Sequence, residues 1–274
     1  MKRATPVYDS ASKLSVGLEE VRQVVRYRDL VYQLVRRDIL TRYKRSVLGV
    51  AWTMLNPLGT MVVLALAFSQ LFRGTPGYAA YVLSGLIVWS FFSQTTTAAM
   101  YSIIWGSSLI HRIYLPRTVF AISSVTTGMV NLTLSLVPMV IVMLIVRVPL
   151  RLTALFLPIS MLLLLAFALG VALLLSTLAV YFPDVAEMYQ IVLLAWMYLT
   201  PIIYPESIVP EAYRWWMFNL NPMYHLIKLF RLPLYDGLVP SPVRLASAAG
   251  VALVTLVIGW VVFTRRAHEF AYRV

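Results

Sequence analysis

Six stretches free of Asp, Glu, Lys and Arg punctuate the chain, at residues 46–72, 74–110, 118–146, 152–183, 188–205 and 245–264. A helix rises 1.5 Å per residue, so about 20 apolar residues cross a hydrocarbon core of about 30 Å. In the second stretch only residues 78–100 need span. The fourth is long enough to tilt or to extend beyond the core, and the fifth is short. The pattern predicts an all-α polytopic membrane protein with six transmembrane helices.

The segments outside these stretches carry their own pattern. Between residues 26 and 45, Tyr27, Leu30, Val31, Leu34, Val35 and Ile39 recur at steps of three and four, while Arg28, Asp29, Arg36, Arg37 and Arg42 fill the other face. This spacing predicts an N-terminal amphipathic helix, lying at the membrane surface before the first span or packed on a partner protein. Continuation into an apolar stretch favours the interface. Residues 206–244, between the fifth and sixth spans, are rich in aromatic residues and proline, with apolar pieces too short to cross. They suit short re-entrant or interfacial helices, because non-helical backbone at membrane depth persists only beside protein or a water-filled cavity.

Composition excludes an ordinary soluble domain. Hydrophobic residues make up 60% of the 274, and charged residues only 12%, whereas soluble proteins carry about a quarter charged. The net charge of +12 would suggest nucleic acid in a soluble protein. Here it has a simpler source, since cytoplasmic loops collect Lys and Arg. With six spans both termini share a side. That side holds 16 of the 23 Lys and Arg, and the other holds the remaining seven: Arg73, Arg147, Arg151, Arg214, Lys228, Arg231 and Arg244. Both termini are therefore expected in the cytoplasm, with the chain in the cytoplasmic (inner) membrane. The organisation follows: a cytoplasmic segment with the amphipathic helix over residues 1–45, a six-helix transmembrane domain over 46–264 with its outer segment at 206–244, and a cytoplasmic tail over 265–274.

Several kinds of chemistry lack their residues. Cysteine is absent, which removes disulfides, thiol nucleophiles and thiolate-ligated metals. His111, His225 and His268 fall in separate loops without metal-ligand spacing. No glycine precedes a lysine, so a phosphate-cradling P-loop is missing, and so is a Gly-x-Ser-x-Gly elbow. The spans hold no central ionisable group of the kind that marks ion-coupled carriers. The chain is expected to be neither an enzyme nor a holder of cofactors, and any ATP and Mg²⁺ would be bound by another polypeptide. A membrane-embedded glycolipid enzyme would have only Asp184 and Glu187 at the cytoplasmic turns. Aromatic residues make up 13% of the chain. Trp52, Trp89 and Trp260 fall near span ends, where an interfacial belt is expected, while Trp196 and Tyr198 lie deeper. Rings of this kind stack on sugar faces, so Trp89, Trp196, Tyr198, Tyr204 and Tyr224 are candidates for a channel or outer mouth, with lipid contact as the alternative.

Four stretches carry a resemblance. They are Arg37-Asp38-Ile39-Leu40 continuing through Lys44-Arg45-Ser46-Val47-Leu48-Gly49-Val50-Ala51-Trp52, with Asn56-Pro57-Leu58 after it; Leu109-Ile110-His111-Arg112-Ile113-Tyr114-Leu115-Pro116-Arg117; Thr200-Pro201-Ile202-Ile203-Tyr204; and Asn221-Pro222-Met223-Tyr224. In order and placement they resemble the membrane subunit of ATP-binding-cassette polysaccharide exporters, which move lipid-linked O-antigens, capsular glycans or teichoic acids. The sequence departs at Pro183, where the family usually has arginine before the aspartate.

The resemblance implies a homodimeric permease that binds two copies of a cytoplasmic ATPase and exports a polyprenyl-diphosphate-linked glycan. It places Leu48 and Gly49 in a loop at the cytoplasmic substrate entrance. It places His111, Arg112, Ile113, Tyr114, Leu115, Pro116 and Arg117 on the short helix that couples to the ATPase. Beside that entrance, Arg42, Lys44 and Arg45 would lie at headgroup level, where arginine suits phosphate oxygens. Anchoring on anionic lipid is the competing role for this charge. A drug or lipid exporter of the same fold is the alternative within transport.

Overall fold

The computed structural model describes residues 16–43, 49, 51–105 and 116–270. Among the described residues the regular elements are all helical, with no strand. In chain order they are α1 (Val16–Arg26), α2 (Arg28–Tyr43), α3 (Ala51–Phe68), α4 (Tyr78–Trp105), α5 (Thr118–Ile145), α6 (Leu157–Tyr181), α7 (Val185–Leu199), α8 (Glu211–Asn219), α9 (Pro222–Arg231) and α10 (Pro242–Arg266). A 3₁₀ turn over Leu152–Phe156 leads into α6, and a π turn over Leu232–Asp236 follows α9.

Three of these segments are long and apolar enough to cross a membrane: Thr118–Ile145, Leu152–Tyr181 and Pro242–Arg266. Val185–Leu199 and Met54–Phe68 are apolar but shorter. Helix α4 matches α5 at 28 residues, yet Ser84, Ser90, Ser93, Gln94 and Thr95 to Thr97 interrupt its apolar run. The fourth stretch read from the sequence thus forms one continuous helical segment. Residues 206–244 contain two short helices, α8 and α9, as their broken apolar pieces require.

Helix boundaries follow local chemistry. Asn221 caps α9, its side chain accepting from the Met223 and Tyr224 N–H groups, and Pro222 occupies the first turn, where no donor is needed. Ser241 and Pro242 open α10 in the same way. Pro138 sits inside α5 and removes one ladder bond, which membrane helices tolerate where neighbours re-satisfy the backbone.

The most extensive helix contact joins α6 to α10. At its centre the backbones nearly touch. A Cβ on Gly170 would stand 2.5 Å from the Thr255 carbonyl oxygen, and one on Gly259 would stand 2.2 Å from the carbonyl oxygen of Gly170. Lipid is as apolar as leucine, so membrane helices gain stability from close packing of small residues rather than from burial alone. Helix α4 packs between α5 and α6, and α3 packs on α4.

The N-terminal helix pair extends further than the periodicity of residues 26–45 suggested, because α1 precedes α2. The apolar face of α2 packs on the protein itself. Leu34 joins a buried cluster with Val119, Phe120, Phe263 and Phe270, and Tyr27, Leu30 and Val31 lie against it. Leu40 on the same helix stays exposed.

Candidate functional site

At the entrance motif, Lys44, Arg45 and Leu48 lie outside the described residues, and the backbone of Arg42 lies in the last turn of α2. Gly49 has φ of 49°, in the left-handed region, and its carbonyl accepts from the Trp52 N–H at 3.3 Å, just inside the first turn of α3. A residue with a Cβ meets its own backbone at such a φ, and a β-branched one does so most severely.

In the coupling motif, His111, Arg112, Ile113, Tyr114 and Leu115 lie outside the described residues. Pro116 is buried. The Arg117 guanidinium lies 5.4 Å from the centroid of the Phe270 ring, so the end of the motif is tied to the C-terminal segment. Thr118 donates to Glu20 Oε1 at 2.9 Å, which ties α1 to the start of α5.

The candidate aromatics divide by environment. Trp89 is only 6% exposed and packs inside the bundle against Phe92 and, edge to face, against Trp196. The Trp196 Nε1–H donates to Asn221 Oδ1 at 2.8 Å. Tyr198 is exposed, and its carbonyl accepts from the Tyr204 hydroxyl at 2.9 Å. Tyr224 stacks on Phe218, and its hydroxyl bonds Glu206 Oε2 at 3.2 Å. The same carboxylate pairs with Lys228 at 2.8 Å. Burial, helped by the Glu206 charge, pushes the Tyr224 phenol up to about 12. Burial also raises the Asp236 carboxyl above its ordinary range, with Lys228 and Arg231 pulling it back.

Two of the sequence motifs meet here. Thr200 and Asn221 are joined by a bond from Asn221 Nδ2 to Thr200 Oγ1 at 2.9 Å. One amide side chain therefore caps α9, receives the Trp196 indole and grips the end of α7. The bend at residues 200–204 is held from α4 as well. The Tyr78 hydroxyl donates to the Ile203 carbonyl at 2.8 Å, and the Tyr81 hydroxyl donates to the Tyr204 carbonyl at 3.0 Å.

Arg231 completes this node, and sequence reasoning missed it. It counted there as one of the outer-side loop charges, yet the side chain is 2% exposed. Its Nε donates to Ser84 Oγ at 3.1 Å, and its two terminal nitrogens donate to the carbonyls of Pro201, Tyr81 and Ile202 at 3.1, 3.2 and 3.4 Å. The guanidinium carbon lies 3.7 Å from the Tyr81 ring centroid. Among the described residues no carboxylate stands within ion-pair distance of it. The charge is thus compensated by carbonyl dipoles and an aromatic face rather than by an anion. Gly85 makes the room, since a Cβ there would lie 2.6 Å from the guanidinium. The available signal was positional: Arg231 ends a short apolar helix ten residues after the Asn221 cap, with glycine beside Ser84 on α4. His225 likewise lies within α9 rather than in a loop.

Chemically this arrangement positions backbone and rings. Among the described residues no group of three His, Cys, Asp or Glu could hold a metal. The set of long apolar helices, with a polar node stapling α9 to α4 and the end of α7, is that of a multi-pass membrane protein. The family described as ABC-2 type transporter matches residues 29–235, and the chain belongs to it. It is 32% identical over 254 residues to the O-antigen export system permease protein RfbA of Myxococcus xanthus, covering 92% of this chain and 97% of that protein. An RfbA of Klebsiella pneumoniae with the same description is 26% identical, covering 89% and 94%. The polysialic acid transport protein KpsM of Escherichia coli is 24% identical, covering 86% and 93%.

Proposed function

We propose that this chain is the permease subunit of an ATP-driven exporter of a lipid-linked polysaccharide. The observation that carries the reading is similarity along nearly the whole chain to proteins described as O-antigen export permeases. Glycan exporters of two kinds, O-antigen and polysialic acid, recur among the relatives, which favours a polysaccharide over a drug or a simple lipid. Deleting the gene in its native cell should remove the exported glycan from the cell surface and accumulate its lipid-linked form inside. Unchanged surface glycan would overturn the reading.

The finer architecture belongs to the same proposal. Six spans with both termini cytoplasmic place α2 and residues 101–117 beside the ATPase, and α8 and α9 at the outer mouth as re-entrant helices. Two copies of the chain pair, and each engages one ATPase subunit. ATP hydrolysis is then a property of the assembly, because the chain has no P-loop. The purified chain alone should show no ATP turnover. Arg112→Glu should leave the folded permease intact while uncoupling hydrolysis from export. It is a cleaner test than the Arg117 equivalent, whose side chain already packs on Phe270. Coupled export at the normal rate in Arg112→Glu would remove the docking role from that position.

The entrance gives a second expectation. Changing Arg42, Lys44 and Arg45 together to glutamine should lower surface glycan about tenfold or more while insertion stays normal. Eight other Lys and Arg remain within residues 1–45 to fix orientation. Wild-type surface glycan in that variant, with normal abundance, would leave lipid anchoring as the whole role of these charges. Gly49→Val should block export as well, given the left-handed backbone at that position.

A further inference from the structure

A cavity of about 410 Å³ opens between α2, α3, α4 and α5, away from the outer node. Its volume falls within the range of small-ligand sites, roughly 300–1,000 Å³. One wall is a polar stripe on α5, where Ser124, Thr127, Asn131 and Ser135 follow one another at steps of three and four residues. A stripe of this length runs about 16 Å along the helix axis. Ser90 and Gln94 of α4 face it across the cavity, and Asp38 of α2 lies on the lining as well.

The wall holds one group that the protein does not satisfy. Thr96, Thr126, Thr133 and Thr177 each return their hydroxyl to the carbonyl four residues back. Thr127, only 8% exposed, does not, and its Oγ1 has no hydrogen-bond partner among the described residues. A buried hydroxyl left unpaired is destabilising, so one on a cavity wall points to a partner from outside the chain.

We infer that this cavity binds a neutral, polyhydroxylated sugar residue. The lining supplies hydroxyl and amide groups that both donate and accept, as sugar hydroxyls do. Pro57, Ile87, Phe91 and Leu132 supply apolar faces for the C–H sides of a ring. Among the described residues no lysine or arginine lines it, and the one charged lining group, Asp38, is an anion already paired with Arg37 at 2.9 Å. The described wall offers a phosphate no cation, and an acyl chain would strand the hydroxyls. The site thus takes the sugar next to the lipid carrier rather than the diphosphate. This inference rests on the export reading and names the part of the substrate that the cavity holds.

The absence of cysteine makes the site addressable. Ala98→Cys puts one thiol on the exposed edge of the cavity lining. Its labelling by a membrane-impermeant maleimide is followed in inside-out vesicles with three probes: a short prenyl diphosphate bearing a neutral hexose disaccharide, the disaccharide alone, and the prenyl diphosphate alone. The sugar-bearing lipid should slow labelling, the free disaccharide should do so at higher concentration, and the bare prenyl diphosphate should not. Adding Thr127→Val should raise the protecting concentration roughly fivefold, the effect of one lost hydrogen bond. Its thermal midpoint should not fall, because the hydroxyl has no partner to lose among the described residues, and Thr127→Ser should restore protection. Equal protection by the bare prenyl diphosphate, or none by any probe, would overturn the inference. So would protection that Thr127→Val leaves unchanged. If gene deletion clears surface glycan while no probe protects, the cavity assignment fails and the export reading stands; if deletion leaves surface glycan in place, the export reading fails.

Discussion

Arg231→Ala should destabilise the folded permease by at least about 3 kcal/mol, since it strips charged donors from four acceptors buried around the end of α9. A domain's whole margin is about 5–15 kcal/mol, so most of the monodisperse protein should be lost on extraction into detergent. Arg231→Lys keeps the charge but gathers its donors on one nitrogen, which cannot reach Ser84, Tyr81 and Pro201 together. It should recover only part of the loss. The effect should appear first as freer movement of residues 200–204, because the carbonyls of Pro201 and Ile202 lose their donor on α9. Thermal midpoints of the variants in detergent measure this. A midpoint for Arg231→Ala within a degree of wild type would show that the buried guanidinium contributes nothing to holding α9 against α4.

A valine at Gly170 or Gly259 should have an effect as large by another route. Each new Cβ would fall 2.2–2.6 Å from backbone atoms of the opposing helix, which cannot move aside as a side chain would. Helices α6 and α10 would have to separate along the largest contact in the fold, at a cost of about 3 kcal/mol or more. Gly250→Ala supplies the control. It lies on α10 with nothing within 4 Å of its Cβ position, and alanine is the better helix former by about 0.5–1 kcal/mol. The two contact glycines should therefore lower the midpoint while Gly250→Ala holds or raises it. Equal behaviour of all three would contradict the close helix crossing.

The helices were legible in the sequence because membrane and helix impose one simple rule, an uncharged run of a set length. The runs at 118–146, 152–183 and 245–264 became the three long apolar segments with ends shifted by a few residues. The Asn221-Pro222 and Ser241-Pro242 pairs marked helix starts through capping chemistry that is local in sequence. What stayed hidden was everything that depends on contacts far along the chain. Arg231 reads as a solvated loop charge until Ser84 and Tyr81, about 150 positions away, are placed against it. Thr127 reads as one of many span hydroxyls until its missing partner and the cavity are seen together. Asn221 was noticed as part of a motif, but its bonds to Trp196 and Thr200 at the end of α7 come from tertiary placement. The Leu34 face showed its period plainly, while the identity of its cover, α5 and Phe270, lay beyond any local pattern.

The central claim is that this chain carries a lipid-linked glycan across the membrane when a partner hydrolyses ATP. The most direct measurement uses inside-out proteoliposomes holding the chain together with its ATPase, loaded on the outer leaflet with a radiolabelled prenyl-diphosphate glycan. A glycosidase added outside then digests whatever glycan remains exposed. The account predicts that ATP makes a growing fraction of the glycan resistant, and that vesicles lacking this chain show none. Equal digestion with and without ATP, in vesicles where the ATPase is active and bound to the chain, would contradict it.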